Sequence, residues 1–318
     1  MARRQTEQTG TRQAALVGMA LVLVVLLSLV AGSLGPRLIQ AAFPGTDAAD
    51  AAPEWVWGLY NLLASLLAFL PPIAFLLHQG RPLGLRLVNV KGRIPVLVLL
   101  PLFLGLMVAA NSLSNILRNL VLFFAGGGAA TPDALPATIL GHLFYFLTIC
   151  VAAPLLEEIL FRGCIQGLLR VWGPGFAILL TSVLFTLMHA TLWELPTVFI
   201  LSLLLCYVGE VSRSLRPCVL LHFANNLYAW LMALAREKLA PTVYFAITVW
   251  VMVALIALFL AAVWLVRQYR LGPRLKLPAA PEGLGRPAVR IKLLARVVPF
   301  AVGFAALLGY CILRLVSG

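Results

Sequence analysis

Apolar runs of about twenty residues recur along the whole chain, separated by short polar stretches. That is the length at which an α-helix crosses the hydrocarbon core of a bilayer. The pattern predicts spans over approximately 14–34, 55–77, 94–116, 137–160, 175–193, 196–211, 218–235, 244–266 and 295–313. In lipid every backbone polar group must be paired internally, so spanning segments are helices or closed barrels. Continuous runs, rather than ten-residue alternation of apolar and polar positions, exclude the barrel. The expected fold class is all-α, a polytopic membrane helical bundle of about nine transmembrane helices. The first run follows basic residues but lacks a small-x-small cleavage pattern, so it reads as a retained helix. No internal repeat is visible, which gives the inverted-repeat transporter architecture no support.

Composition agrees: of 318 residues, 62% are hydrophobic and 11% charged, which excludes a soluble domain. A net charge of +13 would suggest nucleic acid for a soluble protein. In a membrane chain it sets orientation and contacts anionic headgroups instead, so no nucleic-acid partner is expected. With the N-terminus inside, 19 of the 24 Lys and Arg fall in inside segments, Arg162 and Arg170 among them. Arg37, Arg118, Arg236, Lys238 and Arg314 fall outside, and the bias argues for N-in and C-out. The Pro-, Gly- and Arg-rich stretch 267–292 reads as a cytoplasmic loop lying on anionic lipid. The Gly126-Gly127-Gly128 run and the Ala-rich segment 47–52 read as flexible outside loops. The five cysteines have no metal-type spacing and read as small buried residues. The chain divides into an N-terminal three-helix region (1–136), a core (137–235) and a C-terminal two-helix region with the basic loop (236–318). High Ala, Leu, Arg and Gly content is compatible with a GC-rich bacterium, and hence with a bacterial inner membrane.

Chemistry enters with Glu157 and Glu158, side by side inside a predicted span. A carboxylate at the bilayer centre costs roughly 2.5–3.5 kcal/mol even on the lenient insertion scale, so intramembrane acids mark candidate sites. Glu158 and Arg162 stand at i,i+4, the favourable order for an ion pair. The neighbouring carboxylate points about 100° away on the helix, which leaves Glu157 free to act as general base on a water. The Trp172-Gly173-Pro174-Gly175 run predicts a turn, with Glu157 sixteen residues before Gly173 and His189 sixteen after it. Two antiparallel helices leaving that turn bring Glu157 and His189 to equal depth. Phe185 precedes His189 by four residues and His222 precedes Asn226 by four, so each pair shares a helix face. His222 and Asn226 can donate to the oxyanion of a tetrahedral intermediate.

His222 lies only about five residues past Pro217. Either the 157/189 hairpin protrudes or the Arg213–Pro217 turn is recessed, and both geometries suggest a cavity open to the cytoplasmic side. Pro154 removes a backbone donor three residues before Glu157, kinking the helix or freeing a carbonyl, or it is an ordinary membrane-helix proline. Three further readings use the same residues. Glu157, His189 and His222 could hold a zinc ion with one position open for water. The polar groups could be interhelical glue. They could also form the relay of a proton-coupled transporter.

Glu157-Glu158-x-x-x-Arg162, Phe185-x-x-x-His189 and His222-x-x-x-Asn226, with Ala153-Pro154-Leu155-Leu156 before the first and Gly163 after it, resemble the three motifs of the CPBP intramembrane proteases. That family contains the type II CAAX prenyl endopeptidases and bacterial bacteriocin-processing or immunity proteins. The resemblance covers about residues 137–235. It implies a helical core with a cavity open to the cytoplasm, and a peptide or membrane-protein substrate. Glu157 would activate water together with His189, with His222 and Asn226 as the oxyanion site. It leaves open a metalloprotease or a glutamate mechanism needing no cofactor, and a non-catalytic immunity or scaffold role. It does not carry prenylated substrates over to this chain.

Overall fold

The computed structural model describes residues 2–44, 52–79, 100–107, 109–111, 116, 120, 124, 135–189, 194–279 and 287–317. The Gly126–Gly128 run, residues 47–50 and much of the expected 94–116 span lie outside the described residues. Among the described residues the regular structure is helical, and seven helices are long and apolar enough to cross a membrane. We label the elements α1 (Ala2–Ala42), α2 (Glu54–His78), α3 (Ile139–Trp172), α4 (Pro174–His189), α5 (Leu195–Ser212), α6 (Leu215–Lys238), α7 (Pro241–Gln268), α8 (Pro287–Ala295) and α9 (Val298–Ser317). Two of the nine expected spans correspond to shorter apolar helices, α4 and Leu100–Asn111. The chain is an integral membrane protein with an all-α, polytopic fold.

Local chemistry sets the helix ends. Glu54, at the start of α2, accepts hydrogen bonds from the Ala137 and Thr138 amides (2.8 and 2.9 Å) and from the Thr138 hydroxyl (2.7 Å). Thr138 in turn accepts from the Gly141 amide at 3.1 Å, so the entrance to α3 is capped twice over. Gly173, at φ 100°, separates α3 from α4 in a conformation that only glycine adopts easily. Arg213 ends α5 in the left-handed region, its amide donating to the Gly209 carbonyl at 2.9 Å.

Two ends of the bundle are fixed by contacts. Trp172 packs over Gly10, and Arg290 donates to the Trp172 carbonyl at 2.7 Å. Near the end of α5, Tyr207 donates to the Leu275 carbonyl at 2.6 Å. The start of α1, the α3–α4 turn, the ends of α5 and α7, and α8 therefore share one end. The starts of α2 and α3 share the other through Glu54. Gly18 and Gly303 let α1 and α9 touch backbone to backbone; a Cβ on Gly18 would overlap Pro299, and one on Gly303 would overlap Gly18 itself.

Helix α3 continues twelve residues past the expected boundary at 160. Ending the span there leaves Arg162 and Gln166 outside the membrane and Glu158 two residues from its edge. Instead all three are fully buried and paired inside the protein. Arg162 was counted among the inside cations; it lies in the core and carries no information on orientation. Helices α3 and α5 run parallel with a polar ladder at a constant offset of forty residues. Arg162 donates to the Ser202 hydroxyl (2.9 Å), Gln166 to the Cys206 carbonyl (3.0 Å), and Arg170 pairs with Glu210 (3.0 Å). All five cysteines are buried and free.

Candidate active site

Glu157 sits between two π-helical stretches of α3, Leu147–Ala152 and Glu158–Ile165. Such stretches inside α-helices frequently mark functional positions. The Ala153 amide bonds five residues back, to the Thr148 carbonyl. The next rung of that ladder would join residue 154 to Ile149, but Pro154 has no N–H to give. The Ile149 carbonyl is met instead by the side-chain amide of Asn226, at 2.9 Å. Of the two readings open for Pro154, the freed carbonyl is the one observed. A carbonyl can only accept, so the nitrogen of Asn226 must face Ile149, and its oxygen then accepts from Asn225 at 3.2 Å. One amide hydrogen of Asn226 remains uncommitted by these two bonds.

Three helices converge on Glu157. Its Oε2 lies 3.8 Å from His189 Nε2 on α4 and 3.9 Å from His222 Nε2 on α6. That oxygen is buried and has no hydrogen-bond partner among the described residues. The far side of each ring is anchored. His189 Nδ1 lies 3.0 Å from the Phe185 carbonyl, which can only accept, so Nδ1 carries a proton. His222 Nδ1 lies 2.8 Å from Glu158 Oε1, which also accepts from Arg162 at 2.9 Å.

Glu158 therefore does more than pair with Arg162, as expected; it also clamps His222. That bond crosses between helices 64 residues apart, and sequence spacing carried no signal for it. Phe185 underlies the group, with the Arg162 guanidinium 4.2 Å above its ring, and the His189 and His222 rings at 4.4 and 6.0 Å. Cation–π attraction and packing hold the charged chain in place. Asn225, Ser202 and Gln166 were missed. The last two were legible as polar stripes at four-residue spacing, Arg162-Gln166-Arg170 on α3 and Ser202-Cys206-Glu210 on α5.

The depth of His222 is also resolved. Cys218 Sγ donates to the Leu205 carbonyl at 3.4 Å, placing the fourth residue of α6 beside one seven residues before the end of α5. By the forty-residue offset Leu205 is level with residue 165, so the start of α6 is set back about four residues, or about 6 Å at 1.5 Å per residue, from the level of Trp172 and the end of α5.

Glu157, His189, His222 and Asn226 line one cavity of about 660 Å³, with Ser65, Tyr145, Thr148 and Trp230 among its walls. A second chamber of about 910 Å³ between α1, α2, α3 and α9 shares Ser65, Tyr145, Thr148 and Ile149 with it. The floor is His222, 2% exposed, seven residues into α6. From there the lining runs to Glu194 before α5, Ala233 near the end of α6 and Tyr145 near the start of α3. The mouth therefore lies at the end where α3 begins, away from the α3–α4 turn. An N-in chain and a cytoplasmic mouth, both expected from sequence, are incompatible in this geometry.

Tetrahedral zinc with bonds of 2.0–2.1 Å would bring its ligand atoms to about 3.3 Å from one another. The 3.8 and 3.9 Å separations are wider, and among the described residues no group of three His, Cys, Asp or Glu could hold a metal ion. Glu157, His189 and His222 do not fit such a centre as they stand.

Residues 139–228 match the family described as type II CAAX prenyl endopeptidase Rce1-like. No curated protein and no solved structure matches the chain. The matched segment contains α3, α4, α5 and the part of α6 bearing His222 and Asn226, which are the elements that build the cavity floor. The three motifs and the family match thus fall on the same residues, and within this integral membrane protein residues 139–228 are similar to the CAAX protease-like family.

Proposed function

We propose that this chain is an intramembrane endopeptidase in which Glu157 activates a water for attack on a peptide bond. The observation that carries this reading is the Glu157 carboxylate, buried on its Oε2 side and within 4 Å of two histidines on two other helices. A water held in the cavity beside the Glu157 carboxylate loses a proton to it while the water oxygen attacks the carbonyl carbon. His189, with Nδ1 tied to the Phe185 carbonyl, presents Nε2 to orient the same water. The tetrahedral oxyanion is met by the uncommitted amide hydrogen of Asn226 and by His222 Nε2. For Nε2 to donate, the His222 ring must carry both protons, and Glu158 supplies the counter-charge against Nδ1. Collapse breaks the C–N bond, and the proton on Glu157 passes to the leaving amine. No step needs a metal. The substrate is a peptide or a segment of a membrane protein, and no prenyl group is required. In this reading the chain resides in a bacterial inner membrane, with its basic end against anionic headgroups.

The test compares the N-termini of membrane and secreted proteins from cells making the wild type or Glu157→Gln. New termini that need the wild type, and that persist in membranes treated with a chelator, support the glutamate mechanism. Identical sets of termini sink the peptidase reading. A phenotype that survives Glu157→Ala at equal protein level favours a binding or immunity role. Activity abolished by the chelator and restored by zinc favours the metal reading.

A further inference from the structure

Among the described residues the cavity lining extends toward one end of the bundle, and the position of that end relative to the cations names the side from which substrate comes. Arg12, Arg170, Arg213, Arg216, Arg270 and Arg290 stand at the end that holds the α3–α4 turn. The same end receives Lys276, beside the Leu275 carbonyl bonded to Tyr207. The opposite end carries Arg37, Arg236, Lys238 and Arg314, interspersed with Glu54, Glu194 and Glu237. Lys and Arg near span ends concentrate on the cytoplasmic side, a rule that does not depend on counting spans. Moving Arg162 into the core leaves this asymmetry intact.

The lining of the catalytic cavity stops short of the basic end on every helix that forms it. On α6 it reaches no closer than His222, seven residues in; on α3 no closer than Glu157, fifteen residues from Trp172; on α5 no closer than Leu201, eleven from Ser212. Below that level the ladder from Arg162 to Glu210 joins α3 to α5, and Phe161, Ile165, Leu169 and Trp172, each 1% exposed or less, fill the core that α3 shares with α1 and α4. Toward the other end the lining continues to Ala229, Ala233 and Glu194, with Ala229 and Glu194 exposed. The adjoining chamber repeats the trend, reaching Glu54, Pro136, Gly32 and Arg314.

We propose that the site receives its peptide from the extracytoplasmic side, its basic end being a sealed cytoplasmic floor. This rests on the peptidase reading for the word peptide, but its geometry and its test do not involve hydrolysis. The substrate class is then a secreted peptide or the extracytoplasmic end of a membrane segment, rather than a soluble cytoplasmic chain.

Single cysteines placed at Glu194, Lys238 and Ala233, and at Lys276 and Lys292 on the basic end, decide it. The full-length protein is made in a bacterial inner membrane, and intact spheroplasts are treated with a membrane-impermeant maleimide before and after permeabilisation. The native cysteines are buried, so the unsubstituted chain gives the baseline. The expected result is labelling of Glu194→Cys, Lys238→Cys and Ala233→Cys in intact spheroplasts to within about twofold of the permeabilised level. Lys276→Cys and Lys292→Cys should gain at least about tenfold on permeabilisation. The reverse pattern overturns the proposal, as does equal labelling of both sets before permeabilisation. So does an Ala233→Cys that stays unlabelled, or reacts only with reagent admitted to the cytoplasm, while Glu194→Cys reacts. Two rim and two basic-end positions keep the outcome readable if one variant fails to accumulate. Labelling as expected in a protein that generates no new termini would sink the peptidase reading and leave the sidedness standing.

Discussion

Adjacent glutamates stand in different surroundings in this site. Glu158 is fully buried between Arg162 and His222, whereas Glu157 lines the cavity. Glu157→Gln keeps the shape and removes the base, so hydrolysis should fall about 10²–10⁴-fold with little change in melting temperature in detergent. Glu158→Gln takes the counter-charge from a buried guanidinium. It should cost about 3–5 kcal/mol of stability, read as a lowered melting temperature, whatever it does to activity. A result in which both changes behave alike would contradict the division. Sequence spacing showed the Glu158–Arg162 pair because both ends lie on one helix. It could not show the Glu158–His222 bond, which depends on how two helices are rotated about their own axes. The π stretches on either side of Glu157 depart from the 3.6-residue period on which any such estimate of facing rests.

On α3 the link between backbone and chemistry is Pro154. Its missing N–H leaves the Ile149 carbonyl to Asn226, and so a helix irregularity orients the amide proposed to meet the oxyanion, 77 residues away. Asn226→Ala should lower turnover by about 10²–10³-fold, the scale for loss of one oxyanion donor. It also orphans Ile149, at about 1–3 kcal/mol. Pro154→Ala separates the two effects. It restores a backbone donor that competes with Asn226 for Ile149, so turnover should drop while the melting temperature holds or rises. Turnover unchanged by Pro154→Ala would show that this coupling plays no part. The sequence placed a proline beside the acidic pair and left its consequence open. The missing information was the local ladder: in an α-helical rung the freed carbonyl would be Cys150, and in the π rung it is Ile149.

At the scale of the whole molecule, most apolar runs gave the helices to within a few residues because length and hydropathy are properties of a segment by itself. Two helices run longer: α1 spans Ala2–Ala42 where 14–34 was expected, its polar ends continuing the helix beyond the apolar run, and α3 extends to Trp172 because burial of Arg162 and Gln166 depends on α5. Close approach of α1 to α9 was likewise invisible, since nothing in Gly18 or Gly303 alone reveals that they meet. Gly18→Leu should push the two helices apart and cost about 1–3 kcal/mol, measured as a lower melting temperature in detergent. The cavity lies away from that contact, so the fraction of molecules that remain folded should retain wild-type turnover.

The equal rungs between α3 and α5 also limit how the protein can move. Sliding one helix along the other by a single turn would set Ser202 against Gln166 and strand Arg162 without its hydroxyl partner. Intermediate slips would break all three polar contacts at once in a medium that offers no replacement. These two helices are therefore geared to travel as a unit, and any breathing that admits a bulky guest must come from the staves around them.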